Sequence, residues 1–310
     1  MNIARKIRRF SDSNSFILAP VTEFLNRYAI CHRNELERLG YVIPLVGEQL
    51  YESISDKKKF SDICREYGIA TPREMTLPER FVSPFVAKPA KYATNNGKIY
   101  PPVLIRTEHE FLHFVSSYPV NDFYFQEFVT GSSIYILFYF SRSGKVFKCS
   151  QRNFMQQDGG KSIIAAKTDN FFMTSDVTMI ENLFIAMNFT GLAMVEIRKR
   201  EDKNFMIEAN PRFWGPSQLF VDAKYNLFHA MLNDWGFCNI PFPDINTLDM
   251  NAKYFWEGGI TEDVRLGRNS AYFDGFDKIL GYNRKEWEAA EIYKRSDTIK
   301  IWEAENLYHG

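Results

Sequence analysis

The sequence predicts a mixed α+β fold, because stretches with helical periodicity alternate along the chain with stretches of strand character. Apolar residues recur at helical spacing over 56–67 and again over 175–188. Between them, the stretches 123–129, 133–140 and 145–151 have strand composition and are separated by short turns that contain glycine. Three strands joined in this way predict an antiparallel meander, so sheet and helix both contribute to the fold.

Length and charge restrict the class of protein. The chain has 310 residues, enough for one large domain or for two or three small domains packed as a unit. Its 38 basic and 38 acidic residues cancel, which argues against a nucleic-acid-binding protein driven by bulk charge and leaves a local basic groove open. The longest apolar run, 134–140, is too short to span a bilayer. We therefore expect neither nucleic acid nor a membrane as a partner.

The start of the chain and the cysteines indicate the compartment. The basic start is followed by the letters SDSNS, where a secretory signal peptide needs an apolar stretch. The four cysteines are far apart and form no paired spacing, so neither a zinc site nor a disulfide framework is implied. A reducing cytoplasm is the expected location.

The first elements of the chain are short. Residues 16–19 and 42–46 are predicted strands, and 22–39 has the spacing of a helix. Ser55 is a candidate N-cap for the helix over 56–67. The part before Ser55 is small for an independent domain.

The remaining elements follow from the same patterns of periodicity and turn residues. The further predicted strands are 84–88, 162–166, 192–198 and 205–208. The further predicted helices are 108–117, most of 218–235 and a segment near 283–294. The polar stretches 92–97 and 158–160 are predicted loops.

The most informative segment is 191–216, which reads GLAMVEIRKREDKNFMIEANPRFWGP. Its two strands carry Glu196 and Glu208 and are joined by a short charged turn, which predicts an antiparallel hairpin. Glu208 and Asn210 then project to one side, and two carboxylates with one amide oxygen suit Mg²⁺. Arg212 follows two residues later, where it can meet phosphate oxygens. The hairpin alone equally allows surface glutamates followed by an Asn-Pro turn.

Four motifs in this order resemble those of the ATP-grasp superfamily. The letters SDKKKFSDICREYGIATP (55–72) resemble the family's Asp-Lys helix and its Gly-Ile/Val-x-x-Pro turn. The letters FVSPFVAKPA (81–90) resemble the strand with the second nucleotide lysine, and YFQEFVTGSS (124–133) the adenine hinge with its glycine turn. Glu196 followed by EANPR (208–212) resembles the metal segment. The resemblance runs from about residue 41 to 234.

The resemblance implies an ATP-grasp fold, in which two α+β subdomains clasp ATP. Residues 1–54 would be a truncated N-terminal αβ remnant, 55–125 the small subdomain, and 126–310 the C-terminal subdomain with the metal site and a helical tail. A homodimer could replace the shortened N-terminal part.

The resemblance also implies the nucleotide contacts. Lys57 would approach the phosphates, with Lys58 and Lys59 as alternatives, and Lys88 would contact the α and β phosphates. The hinge would meet the adenine edge through Gln126, Glu127, Phe128 and Val129.

Two positions depart from the family pattern. Ser133 stands where the family usually has the acidic residue that holds the ribose. The phosphate lid, 92–100, is poor in glycine, although Asn95 and Asn96 tolerate similar backbone angles and Lys98 could contact phosphate.

The implied reaction is that of an ATP-dependent ligase. ATP phosphorylates a small-molecule carboxylate, and an amine (less often a thiol) attacks the acyl phosphate. Mg²⁺, with Mn²⁺ as an alternative, would be held by Glu196, Glu208 and Asn210. Lys88 and Arg212 would assist the transfer by charge. Arg152 is a candidate for gripping the substrate carboxylate, with a solvated arginine as the equal alternative.

Two other functions stay open. His109-Glu110-Phe111-Leu112-His113 matches the HExxH pattern of zinc metalloproteases, although the extended spacing for a third ligand fails. A nucleotide-binding protein that has lost catalysis is the other alternative, because Ser133 and the glycine-poor lid both depart from the family pattern.

Overall fold

A computed structural model of the protein describes residues 4–6, 15–19, 21–93, 97–300 and 303. Its helices are α1 (Glu23–Cys31), α2 (Arg33–Arg38), α3 (Glu48–Ser55), α4 (Lys57–Glu66), α5 (Glu108–Ser117), α6 (Ser175–Ala186), α7 (Gln218–Asp222), α8 (Leu227–Asp234), α9 (Glu257–Arg265) and α10 (Phe276–Glu288). Its strands are β1 (Phe16–Ile17), β2 (Tyr41–Val42), β3 (Glu74–Met75), β4 (Phe85–Pro89), β5 (Val103–Ile105), β6 (Phe123–Glu127), β7 (Ser132–Phe140), β8 (Val146–Gln156), β9 (Ile163–Asp169), β10 (Gly191–Arg200), β11 (Lys203–Asn210), β12 (Lys253–Phe255) and β13 (Ala271–Tyr272).

The large antiparallel sheet has the strand order β11-β10-β7-β8-β9-β12, and β13 pairs with β8. Both faces of this sheet are covered. Ile136 and Phe138 pack on one side with residues of α3, α4 and α6, whereas Leu137 and Tyr139 pack on the other with residues of α7 and α8. Burial on both faces explains why the sequence of β7 is almost continuously apolar. The predicted antiparallel pairing of β7 with β8 is confirmed, but the first strand of the predicted three-stranded meander, over 123–129, is wrong because β6 lies in the small sheet and β9 is the third strand instead.

The small antiparallel sheet has the order β3-β6-β4-β5 and is backed by α5. Phe85, Phe114 and Phe125 form its core, with ring centroids 6.0 to 6.1 Å apart for the pairs that include Phe125. Edge-to-face packing of these rings stabilises a sheet of modest size. The mixed α+β class with two sheet-containing parts agrees with the sequence prediction.

Several predicted helices differ from the observed ones, and the helix expected near 283–294 instead spans Phe276–Glu288. The helical stretch 22–39 divides at His32, whose φ of −102° and ψ of 20° depart from helical values, and the His32 carbonyl accepts from the Glu35 and Leu36 N–H groups at the start of the second helix. Asp56, rather than Ser55, caps α4 by accepting a hydrogen bond from the Lys59 N–H at 2.9 Å. Ser55 instead ends α3, a helix that the sequence analysis missed.

The stretch 218–235 likewise divides into α7 and α8. The break lies at Lys224, whose φ of +61° is left-handed, and the Asn226 side chain caps α8. Within the described part of the chain, no helix has the length and apolarity needed to cross a bilayer.

Candidate active site

A cavity of about 270 Å³ lies between the two sheets. The small sheet and its hinge contribute one wall, the large sheet and α4 contribute the other, and a loop after β8 closes one end. The lining residues are Lys57, Pro72, Val86, Lys88, Pro101, Pro102, Leu104, Gln126, Glu127, Phe128, Val129, Gln156, Gly159, Gly160, Lys161, Glu196, Arg198, Ile207 and Glu208. Charged side chains therefore meet at one end of a mostly apolar slot.

The hairpin of β10 and β11 brings the three predicted metal ligands to one face. Glu196 and Glu208 are direct cross-strand partners, and Asn210 follows two positions along β11. The Asn210 amide nitrogen donates to Glu208 Oε1 at 2.9 Å, and Glu196 pairs with Arg198 at 2.9 Å. Glu196 is only 7% exposed, so its carboxylate is removed from bulk water. The three side chains thus lie on neighbouring positions of one hairpin face, and the Asn210 amide oxygen accepts from Arg212 Nη2 at 3.2 Å.

Two lysines reach the same place, Lys88 from the small sheet and Lys57 from α4 beside the large sheet. Lys88 on β4 is buried, and its Nζ donates to the Ile207 carbonyl at 3.1 Å. Lys57, in the first turn of α4, forms an ion pair with Glu208. Burial, with a smaller contribution from the nearby Lys57 charge, lowers the pKa of Lys88 to about 7, although Glu196 acts in the opposite direction. Burial also lowers the pKa of Lys57, to about 8.

The neighbouring lysines on α4 point elsewhere. Lys58 Nζ lies 2.7 Å from Asp62 Oδ1 and 3.2 Å from Glu74 Oε1. Lys59 is exposed. Successive helix residues face different directions, so only Lys57 of this run lines the cavity.

The predicted hinge forms the far wall of the cavity. Gln126 is buried, and its Nε2 lies 3.5 Å from both Ser61 Oγ and the Pro72 carbonyl. Its Oε1 has no hydrogen-bond partner among the described residues. Glu127 uses one carboxylate oxygen to accept from the Arg73 N–H at 3.1 Å. Gln126 therefore offers a buried acceptor to a ligand, whereas the Glu127 carboxylate helps to fix the hinge.

The glycine after the hinge is required by its surroundings. Gly131 has φ of +121°, and a Cβ built there would lie 2.0 Å from the Lys199 carbonyl oxygen. Any side chain would force the hinge turn away from β10.

The structure does not bring Ser133 to the cavity. Ser133 is fully buried in β7, where its Oγ accepts a hydrogen bond from Asn153 Nδ2 at 3.0 Å. The central position of β7, with β10 and β8 on either side, encloses the short side chain. Arg198, which lies opposite Ser133 on β10, lines the cavity together with Gln156.

Sequence analysis missed both Arg198 and Gln156. Arg198 could have been found, because it is two residues after Glu196 and so shares its face. Gln156 could not, because its orientation depends on register shifts after Asn153. The Arg198 guanidinium donates to Gln156 Oε1 at 3.3 Å and lies over the Phe273 ring at 4.5 Å.

Arg152 also lies away from the site. It is in the middle of β8, opposite Ile134, so its side chain is on the face of the sheet opposite Glu196. Its guanidinium lies 3.1 Å from Asp169 and 3.8 Å from Asp274. Arg152 lines neither the main cavity nor the adjoining one, so its predicted role as a substrate clamp has no support from its position.

A second cavity, of about 230 Å³, adjoins the first through Lys57, Pro102 and Glu208. Its lining residues are Glu23, Ser55, Asp56, Lys57, Pro89, Lys91, Tyr92, Ile99, Tyr100, Pro102, Glu208, Asn210 and Arg212. The predicted lid thus contributes Tyr92 and Tyr100, and the Lys98 ammonium lies 4.7 Å from the centre of the Tyr100 ring. Asn95 and Asn96 lie outside the described residues.

Arg212 connects this second cavity to the N-terminal segment. Its Nη1 donates to the Phe213 carbonyl at 2.8 Å and to the Val21 carbonyl at 3.2 Å, and its Nη2 donates to Asn210 Oδ1 at 3.2 Å. Glu23 of α1 lies 3.8 Å from its Nε. Arg212 supplies positive charge beside Asn210, but several of its donors are already used within the protein.

The HExxH segment has a structural explanation. Glu110 Oε2 accepts from the Arg106 N–H at 2.6 Å and from the Thr107 N–H at 3.1 Å, which completes a capping box at the start of α5. His109 and His113 are exposed. Over the residues that the structure describes, no group of three or more His, Cys, Asp or Glu side chains could hold a metal ion.

Two antiparallel sheets that close on one cavity, with a lysine from each side and an acidic hairpin at one end, define the ATP-grasp fold. Comparison with solved structures shows the same fold. The similar structures include pyruvate carboxylase from Rhizobium etli (T882A, with the allosteric activator acetyl coenzyme-A), with a TM-score of 0.60 and 12% identity over 81% of this chain and 24% of that one. They also include the biotin carboxylase–βγ-ATP complex from Campylobacter jejuni, with a TM-score of 0.59 and 10% identity over 80% and 60%.

An L-amino acid ligase from Bacillus licheniformis is similar as well, with a TM-score of 0.52 and 16% identity over 72% of this chain and 55% of that one. The chain thus spans about a quarter to three fifths of the length of these solved chains. No family model and no curated protein matches the sequence. At such low identities the likeness establishes the fold, and the reaction has to be argued from the site.

Proposed function

We propose that the protein is a Mg·ATP-dependent ligase that activates a carboxylate as an acyl phosphate for attack by an amine. The main support is the convergence of Lys57 and Lys88 with Glu196, Glu208 and Asn210 at one end of an apolar slot. Apolar walls suit the adenine ring, whereas the charged end suits phosphates. The names of the similar structures, carboxylases and an amino acid ligase, support the same kind of reaction.

The residues at the hairpin fit a divalent cation with a preference for oxygen. Glu196 and Glu208 offer carboxylates from paired positions, and the Asn210 amide oxygen, which accepts from Arg212 in the ligand-free protein, would be the third ligand. Mg²⁺ usually takes one or two carboxylates and completes its coordination with phosphates and water, so two carboxylates and an amide suffice. Mn²⁺ accepts the same donors. Such an ion would neutralise phosphate charge when bound.

The chain's own residues then have separate tasks. Lys88 and Lys57 hold phosphate oxygens, and Lys57 exchanges its partner Glu208 for phosphate when the nucleotide enters. The buried Gln126 Oε1 accepts a hydrogen bond from the edge of the base, beside Phe128 and Val129. The slot excludes water from the reacting phosphate, which favours transfer to a carboxylate over hydrolysis.

The second cavity is the proposed site of the carboxylate and amine substrates. It shares Lys57 and Glu208 with the first cavity, so a carboxylate there adjoins the terminal phosphate. Arg212 contributes positive charge at this junction while it holds Asn210. Small molecules are therefore the proposed partners. A cytoplasmic location and a homodimer remain predictions from the sequence.

The test begins with nucleotide binding and ADP release by the purified protein. We expect ATP to bind with magnesium much more tightly than with EDTA, and ADP to be released with some members of a panel of carboxylates and amines. Glu208→Ala should lower turnover at least ~100-fold, since it removes a group that acts in the transition state, while the melting temperature changes little. Lys59→Ala is the control, because Lys59 is an exposed charged residue on α4, two positions after Lys57, and does not line the cavity. Unchanged turnover in Glu208→Ala would refute the assignment.

A nucleotide-binding protein without turnover is the second candidate. Two observations favour it: Ser133 is buried below the cavity wall, and Arg212 donates to protein carbonyls rather than into open space. This candidate predicts saturable, magnesium-dependent ATP binding without ADP release on any substrate of the panel. The ligase function predicts both magnesium-dependent ATP binding and ADP release.

A further inference from the structure

The C-terminal part of the chain contacts the proposed nucleotide cavity through one loop. This loop, 157–161, joins β8 to β9, and the Gln157 N–H donates to the Ser162 carbonyl at 2.9 Å across its base. On its inner side, Gly159, Gly160 and Lys161 line the cavity. On its outer side, the loop rests on α9.

A buried carboxylate on α9 forms the first contact between the loop and the C-terminal part of the chain. Asp263 of α9 is 1% exposed, and its Oδ2 accepts hydrogen bonds from the Asp158 N–H at 3.0 Å and the Ser270 hydroxyl at 2.8 Å. Its Oδ1 is buried and has no hydrogen-bond partner among the described residues. A carboxylate in this environment is costly, so its contacts with the loop and with Ser270 must offset a desolvation penalty.

A second contact lies one residue earlier in the loop. The buried Gln157 side chain donates through Nε2 to Glu262 Oε2 at 2.9 Å and to the Gly259 carbonyl at 3.3 Å. Both acceptors belong to α9, the helix that carries Asp263. Two successive loop residues are therefore fixed to the same helix.

The loop needs an external restraint because of its own composition. Gly159 and Gly160 have φ of +72° and +73°, and a Cβ built at either would meet nothing within 4 Å. Glycine is thus used there for its backbone freedom and not for lack of space. Two adjacent glycines leave many conformations accessible, and fixing one of them costs conformational entropy.

We infer that Asp263 is a positioning residue, which holds the glycine loop in the shape that completes the nucleotide cavity. The inference rests on the proposed function for the identity of the ligand. Asp263 does not line the cavity, so it acts through the Asp158 N–H. Because the tail fixes the loop before the ligand arrives, less entropy is lost on binding.

The experiment uses the full chain, with Mg·ADP as the probe, and measures amide hydrogen exchange of 157–161 and the dissociation constant. Asp263→Ala should speed exchange of the loop amides at least tenfold and weaken Mg·ADP binding about tenfold. Asp263→Asn should restore most of both, because its amide oxygen still accepts from the Asp158 N–H. Ser270→Ala is the control, since it removes only the hydroxyl partner and should match the wild type.

If Asp263→Ala does not fold, Gln157→Ala decides the question, because it breaks the second contact without a buried charge. Wild-type exchange and affinity in a folded Asp263→Ala, or in Gln157→Ala when the former does not fold, would overturn the inference. A wild type that fails to bind Mg·ADP or Mg·ATP would instead overturn the proposed function. In that case, faster loop exchange in the ligand-free variant still supports the positioning role, and unchanged exchange overturns it.

Discussion

The two ends of the main cavity are built in different ways. At the hairpin end, opposite charges neutralise one another: Lys57 pairs with Glu208, and Arg198 pairs with Glu196 at 2.9 Å. At the loop end, hydrogen bonds to carboxylates of α9 fix the loop, and the wall consists of Gly159, Gly160 and Lys161. A ligand must therefore exchange ion-pair partners at the first end, whereas at the second end it meets a wall that is already formed.

The largest effect is expected from removing a charge at the hairpin end. Lys88→Met keeps the length of the side chain but removes the buried ammonium, so Mg·ATP affinity should fall about 30- to 100-fold, or ~2–3 kcal/mol for a charged hydrogen bond. Titration calorimetry or a fluorescent nucleotide measures it. Lys59→Met changes an exposed lysine on α4 and serves as the control. Equal affinities in the two variants would contradict the assignment of phosphate contacts to the hairpin end.

A smaller effect follows from pH. The pKa of Lys88 is about 7 and that of Lys57 about 8 without ligand, because Lys88 is buried and Lys57 is largely withdrawn from water. Phosphate binds the protonated forms, so Mg·ATP affinity should fall as pH rises above 7, by up to tenfold per pH unit for one lysine, and binding at pH 8 should take up protons. Calorimetry in buffers with different ionisation enthalpies measures this uptake. Lys88→Met should remove part of it, and uptake that is the same in that variant would count against Lys88 as its source.

The lowered pKa of Lys88 has the opposite effect on stability: the free energy of unfolding of the ligand-free protein increases as pH rises. The lowered pKa of Lys88 means that its burial destabilises the fold fully below about pH 7. This penalty diminishes as pH rises toward the ordinary lysine pKa of ~10.4, because the unfolded chain then binds a proton that the native chain has lost.

The smallest effect is expected at the loop end, from its link to the small sheet. Arg106, just before α5, lies 3.1 Å from Asp158 Oδ1, and 48% of its side chain is exposed. Exposed ion pairs contribute ~0.2–1 kcal/mol, so Arg106→Met should change Mg·ADP affinity no more than about fivefold. Competition with a fluorescent nucleotide detects such a change. A loss beyond tenfold would mean that the small sheet, and not α9, holds the loop.

Much of the hairpin end could be predicted because its determinants are local. Strand alternation places Glu196, Glu208 and Asn210 on one face, and the motif order supplied Lys57 and Lys88. The same alternation, counted in the correct register, would have placed Arg198 in the cavity. The positions of Ser133 and Arg152 depend on which strands flank β7 and on which face of β8 meets the helices. Pairing between strands that are distant in the chain cannot be read from a single sequence.

The structure of the loop end could largely not be predicted from the sequence. Its glycines indicated a flexible segment, but the tie from Asp263 to Asp158 joins residues 105 positions apart. Nothing near Asp263 in the sequence distinguishes it from a solvated helix residue. Likewise, the acidic partner that occupies Arg212, Glu23, comes from the short N-terminal segment through tertiary packing.

The pairing of Lys57 with Glu208 implies an order of events. While the Lys57 ammonium is paired with the Glu208 carboxylate, a free divalent ion has to compete with it. The ammonium belongs to the same chain, so its effective concentration at the carboxylate is high. A nucleotide that is already bound to its metal ion brings a phosphate anion that can pair with Lys57, which frees Glu208 for the metal. We therefore expect metal and nucleotide to bind as one complex, so that the ligand-free protein keeps Lys57 paired with Glu208 when only magnesium is present.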